Sequence, residues 1–128
     1  MVAWNEYKTV AQERGALAFE VYVAESTPQK SPEDVKAVLP DHLSYIQSLE
    51  KSGQLLMAGP VSDASGEEMQ GAGMIILRAE SMDEARELAA NDPMHISGAR
   101  AFTLKKWLVN EGRISISVGL STGAVELN

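Results

Sequence analysis

The sequence has no cysteine among its 128 residues. That excludes a disulfide framework, a thiol nucleophile and a thiolate metal site. Positive charge is scarce as well: 11 Lys and Arg stand against 18 Asp and Glu, for a net charge of -7. A chain this acidic does not readily build the broad cationic face that a polyanion needs, so nucleic acid and anionic membrane are disfavoured as partners. The adjacent basic pair Lys105-Lys106 falls in a strand pattern, where neighbouring side chains point to opposite faces. No apolar run approaches the roughly 18 residues of a membrane span, and the stretch from Met1 to Lys8 lacks the basic-then-apolar order of a signal peptide. The expectation is a cytoplasmic protein. A Gly-x-Ser-x-Gly elbow is missing too. Gly71-Ala72-Gly73 lacks the Lys-Ser/Thr ending of a phosphate loop, and reads instead as a turn or a strand start where another backbone passes.

What is present is an apolar fraction of 45% in a length that suits one domain, 1–128. Trp4, Tyr7 and Ala11 share a helical face, and Gly15 is a natural stop, so residues 1–16 read as an N-terminal helical extension. Leu17 to Ala24 alternates with a period of two and predicts the first strand. Ser31-Pro32 starts a helix, which Pro40 should kink or divide and Gly53 should end. Gln54 to Gly59 predicts a strand stopped by Pro60. Val61 to Gln70 reads as a polar loop, and Met74 to Ala79 as a central strand. Ser81-Met82-Asp83-Glu84 is a capping box for a helix over Met82 to Asn91, which Asp92-Pro93 should close. Arg100 to Val109 completes a core of about 17–110. The stretch 111–128 holds a half-buried strand, Ile114 to Leu120, and a tail. The order strand, helix, strand, strand, helix, strand predicts an α+β, ferredoxin-like βαββαβ sandwich. Two helices cover one sheet face. A second copy packed on the other face would cover the rest, so a homodimer is expected, and the extra strand would be able to extend onto the partner.

Within this frame one histidine stands out. Val35, Val38, Leu39, Leu43, Ile46 and Leu49 recur at helical spacing, and His42 lies on the same stripe, two turns after Val35. An imidazole facing a core or cleft needs a partner. Its unperturbed pKa of about 6.5 suits it to take and return a proton near neutral pH. The plain structural alternative is a core histidine tied to a backbone carbonyl. Asp92 has an equally plain reading as a helix stop before proline. His95, three residues on, would make a metal site with Asp92 and His42 only on weak spacing; a surface or cleft-rim position is expected, with no metal and no cofactor.

His42-Leu43, the run Gly53 to Pro60, the run Gly71 to Ile75, and Asn91-Asp92-Pro93-Met94 through Gly98 to Trp107 together resemble the YCII-related family, small dimeric α/β-barrel proteins. The likeness spans roughly residues 17 to 110. It implies a site formed by His42 and Asp92, with Gly59-Pro60 near the cleft. One relative in this family removes chloride from a chlorinated hydroxyquinol, and the wider superfold includes muconolactone isomerase and small monooxygenases. Fold alone is weak warrant for any one of these chemistries. The function expected from the resemblance is a cofactor-independent lyase or isomerase, acting on a cyclic or carbonyl-containing metabolite such as an aromatic or lactone breakdown product. His42 would be the general acid and base, and Asp92 its orienting partner. Gly59, Pro60, Ser62, Gly73 and Tyr45 would shape the small-molecule cleft. The alternative is a non-catalytic dimer that binds a small ligand or another protein, in which His42 and Asp92 form a structural bond.

Overall fold

The computed structural model describes residues 1–128. The chain separates into two compact units, Glu20–Leu108 and a second formed by Met1–Phe19 with Val109–Asn128.

The larger unit is the α+β, ferredoxin-like βαββαβ arrangement. It carries β1 (Phe19–Pro28), α2 (Pro32–Ser52), β2 (Leu55–Ser62), β3 (Met69–Leu77), α3 (Met82–Ala90), a one-turn α4 (Pro93–Ile96) and β4 (Arg100–Val109), following α1 (Trp4–Glu13) of the other unit. The strands form one sheet in the order β2-β3-β1-β4, with β3 antiparallel to both β1 and β2. Tyr22 pairs with Leu77, which in turn pairs with Leu55. These three side chains meet Leu49 of α2 and Ala85 and Ala89 of α3 in the core. Residues of the same parity further along the strands are small: Ser26 pairs with Gly73, and Gly73 with Pro60. The sheet thus carries large side chains at one end and almost none at the other. The 21-residue α2 spans both ends, because at about 1.5 Å per residue it is roughly 31 Å long. Its C-terminal half, with Tyr45, Ile46 and Leu49, packs on the core. Its N-terminal half faces the small residues, and a cleft opens between them.

The helix ends follow local chemistry. Ser31 caps α2 by accepting from Asp34 N–H, and Gly53 ends it at φ +81°, a left-handed conformation open to glycine. Ser81 accepts from Glu84 N–H, while the Glu84 carboxylate reaches Glu80 N–H rather than Ser81 N–H.

Several expected boundaries change. Pro40 neither divides nor ends α2, which continues as one helix from Pro32 to Ser52. Pro60 does not stop β2, which runs on to Ser62. β2 is an edge strand with a register shift just after Pro60, and both features accommodate a missing donor. Gly71-Ala72-Gly73 lies in the first half of β3, which agrees with the strand-start reading and not with the turn. Asp92-Pro93 closes α3 but also opens α4.

In the other unit, the expected long, half-buried last strand is a three-residue β5 (Ile116–Val118). It pairs with β6 (Val125–Leu127), which lies in the tail, and both strands are exposed along their length. The alternation in 114–120 reports two faces of a ribbon, not one face of a packed sheet.

Gly71 combines φ +91° with a neighbour, Pro28 Cγ, only 2.9 Å from where a Cβ would stand. Gly71→Ala should therefore lower stability by at least about 1–2 kcal/mol, measured as a drop in the urea midpoint. An unchanged midpoint would show that β3 relaxes freely at this position.

Candidate functional site

The cleft has a volume of about 850 Å³. Val35, Leu39, His42, Leu43 and Ile46 of α2 form one wall. The opposite wall comes from β2 and β3, including Ala58, Gly59, Pro60, Gly73 and Met74. Leu39 and Leu43 are 41% and 48% exposed, so the stripe that the sequence marks as apolar lines an open space rather than a filled core. Small strand residues create that space. A Cβ on Gly73 would come within 3.4 Å of Gly59 O and 3.9 Å of Arg100 Nη2.

His42 sits in this wall with its side chain 22% exposed, backed by an Asp92 side chain that is only 1% exposed. Nδ1 lies 2.9 Å from Asp92 Oδ1 and 2.7 Å from Oδ2. A carboxylate accepts, so Nδ1 carries the proton and donates. Asp92 Oδ1 also accepts from Met94 N–H at 2.9 Å, which makes Asp92 the N-cap of α4. The Asp-Pro sequence explains the geometry. Proline holds Asp92 in an extended conformation (φ -62°, ψ 128°), and Pro93 fills the first helical position, where its missing donor costs nothing. The hydrogen bonds of His42 all run through Nδ1 and leave Nε2 on the opposite side of the ring. A neutral imidazole held this way presents a lone pair at Nε2.

Behind this pair lies a second polar chain. Arg100 Nε donates to Ser26 Oγ at 2.9 Å, and Ser26 Oγ is 2.9 Å from His95 Nε2. His95 Nδ1 is 2.6 Å from Ala89 O. A carbonyl can only accept, so His95 Nδ1 is the donor and its Nε2 accepts a hydrogen bond from the Ser26 hydroxyl. Arg100 Nη2 also donates to Ser26 O at 2.8 Å and to Gly71 O. Burial pushes the Arg100 guanidinium below its usual value, and the Asp92 carboxylate opposes that shift.

Of the residues singled out in the sequence, the structure brings His42, Gly59, Pro60 and Gly73 to the cleft, with Asp92 directly behind His42. Tyr45 is not part of the lining. It packs against the core, and its hydroxyl donates to Leu88 O at 2.6 Å. Burial, and secondly the Asp92 charge, push that hydroxyl's pKa up. Ser62 also stands apart: it is exposed, and its hydroxyl donates to Asp63 O at the β2–β3 turn. His95 is neither a surface residue nor a partner of His42. Both ring nitrogens are engaged, and the ring lies 4.7 Å from that of Phe102. Ser26 and Arg100 were missed, although a signal existed. Arg100 shares strand parity with the inward Phe102 and Leu104, and Ser26 with Tyr22 and Ala24, so each is a polar residue on an inward row.

The sequence matches the YCII-related domain over residues 18–108, nearly the span of the larger unit. The chain belongs to the YCII-related family. It is 35% identical over 66 residues to an uncharacterized protein, YjpA, of Bacillus subtilis (strain 168), an alignment covering 52% of this chain and 71% of that protein. Its fold is similar to that of 5-chloro-2-hydroxyhydroquinone dehydrochlorinase from Burkholderia phenoliruptrix AC1100, solved in complex with 2,5-dihydroxybenzoquinone. The TM-score is 0.52 at 22% identity, and the match covers 68% of this chain and 92% of that one. No helix is long and apolar enough to cross a membrane.

Because Asp92 both caps α4 and holds His42, Asp92→Ala should cost about 1–3 kcal/mol. Asp92→Asn keeps an acceptor for each donor and should cost less. Equal thermal stability of the alanine variant and the wild type would show that neither bond contributes.

Proposed function

We propose that the protein is a small-molecule enzyme of lyase or isomerase type that moves a proton on a ring-containing enol, quinol or ketone. The single observation carrying this reading is His42 on the cleft wall, with Nδ1 bonded to a buried carboxylate and Nε2 free. In the reaction, Nε2 takes a proton from a hydroxyl, or from a carbon next to a carbonyl, and later returns it to the substrate or passes it to a leaving group. Asp92 fixes the donor tautomer at Nδ1 and stabilises the imidazolium that forms. Gly59, Pro60 and Gly73 let the substrate plane approach the strands closely, since none of them carries a long side chain. The largely apolar remainder of the wall favours a carbon ring over a polar chain. The dehydrochlorinase named among the structural neighbours performs chemistry of this class on a hydroxylated ring. We extend to this chain the class of reaction, in the breakdown of aromatic or lactone compounds, and not the substrate.

The working form on this reading is a homodimer. Met57 and Trp107 remain 53% and 44% exposed on the sheet face away from the helices, where a second copy would cover them. Sedimentation equilibrium should give twice the chain mass, and Met57→Glu with Trp107→Glu should halve it. A monomeric wild type would remove the dimer from the proposal.

The decisive experiment screens small quinols, lactones and keto acids for turnover or for solvent deuterium exchange, with wild type and His42→Gln in parallel. A role in proton transfer predicts a rate loss of about 10²–10⁴-fold in a variant that still folds. If His42→Gln keeps full exchange activity, or loses only stability, the pair is structural and the non-catalytic binding reading replaces this one.

A further inference from the structure

The charge of the cleft departs from that of the chain. Overall, acidic residues outnumber basic ones by 18 to 11. The cleft lining contains Lys30, Lys36 and Arg100 and no Asp or Glu. Asp92, the nearest carboxylate to His42, sits behind the ring and is already bonded to His42 and to Met94 N–H. Such a site, positive on an acidic protein and otherwise walled by Leu39, Leu43, Ile46 and Met74, is complementary to a molecule with an apolar body and one negative end.

Arg100 is built to be the fixed contact. Lysines at a cleft rim move freely, but this guanidinium is held by three bonds, to Ser26 Oγ, Ser26 O and Gly71 O. All three use Nε and Nη2, so the Nη1 donors are unspent. Ser26 is buried at 4% exposure, and its hydroxyl is passed on to His95, which is anchored at Ala89 O. The chain Arg100–Ser26–His95 therefore acts as a bracket that sets the guanidinium plane beside Gly73, where a Cβ would come within 3.9 Å of Nη2. A cation fixed in advance and partly desolvated is a stronger anion receptor than a mobile surface charge. Lys30 is tethered as well, through Nζ to Ser97 O.

We propose that the cleft binds an organic oxyanion, a carboxylate or an enolate-like oxygen on a flat apolar body, and that Arg100 is the residue that binds the charged oxygen. The inference rests on the cleft being the ligand site and adds the charge and orientation of the ligand. It also gives Arg100 a part in the chemistry. When His42 Nε2 removes a proton, negative charge grows on the substrate oxygen, and a preplaced guanidinium stabilises it without reorganising.

The test uses defined probes. Benzoate represents the carboxylate, 4-nitrophenolate under mildly alkaline conditions represents the enolate-like oxygen, and benzamide is the neutral counterpart of benzoate. Binding is followed by amide chemical-shift titration of the full chain. The wild type should bind at least one of the two anions about tenfold or more tightly than benzamide, with saturable shifts at Gly71, Gly73 and Met74. Whichever anion binds identifies the oxygen type. Arg100→Gln should abolish the preference, and Arg100→Lys should keep part of it, because the charge remains while the fork is lost. If Arg100→Gln fails to fold, the lysine variant and the wild-type preference decide. The inference is overturned if neither anion gives saturable shifts at the cleft, if wild type does not distinguish anion from amide, or if the preference survives in folded Arg100→Gln or is undiminished in Arg100→Lys. Proton transfer is judged by turnover and this inference by binding, so either can fail alone.

Discussion

The rest of the site depends on one buried carboxylate. Asp92 is 1% exposed, a position in which an ionised group survives only when its oxygens are bonded. It satisfies that requirement with donors from two different elements, His42 of α2 and the Met94 amide at the start of α4. Folding the α3–α4 corner and orienting the imidazole are thus one event. The histidine cannot swing away without exposing a charge to a dry environment, and α4 cannot unwind without freeing the carboxylate that holds the histidine. The tautomer of the imidazole and its direction both follow from the helix start.

The cleft itself is a product of unequal packing. Tyr22, Leu77 and Leu55 fill the space under the C-terminal half of α2. Ser26, Gly73 and Pro60 leave it empty under the N-terminal half. No loop has to close over a pocket of this kind, because the sheet and one continuous helix bound it. The polar groups reach it from behind, Asp92 through His42 and Ser26 through Arg100, so the surface offered to a ligand remains mostly carbon. Two histidines at the same corner, His42 from α2 and His95 three residues after Asp92, illustrate how finely position decides role. His42 keeps one nitrogen for the cleft, and His95 spends both on holding Ser26 and Ala89.

Much of this was legible in the sequence, for identifiable reasons. Capping serines, the alternation in β1 and the helical stripe of α2 are local patterns, and these local patterns survive into the structure. His42 was legible because it interrupts an apolar stripe. Asp92 was legible only through the family resemblance, since an Asp-Pro dipeptide alone says no more than helix stop. Failures came where tertiary context overrode local rules. Pro40 was accommodated inside a long helix, and Pro60 was accommodated by an edge position that no single strand announces. Tyr45 lies one turn from the His42 face, but its hydroxyl turns to Leu88 O, a partner 43 residues away that spacing cannot reveal. Arg100 was hidden by the opposite error: a cation in a strand is ordinarily taken for the solvent side, and here the strand's own parity turns it inward.

Pro60 has a consequence for how copies of the protein meet. β2 is the border of the sheet, and a border strand of eight residues is a template on which another chain's strand can hydrogen-bond. At Pro60 the amide hydrogen is absent, and the register slips immediately afterwards. A foreign strand aligned along this border would lose a rung and then its phase. The residue that lines the cleft on its inner side therefore also makes the border a poor template for strand-by-strand polymerisation. The broad face of β2, where Met57 stands exposed, carries no such interruption.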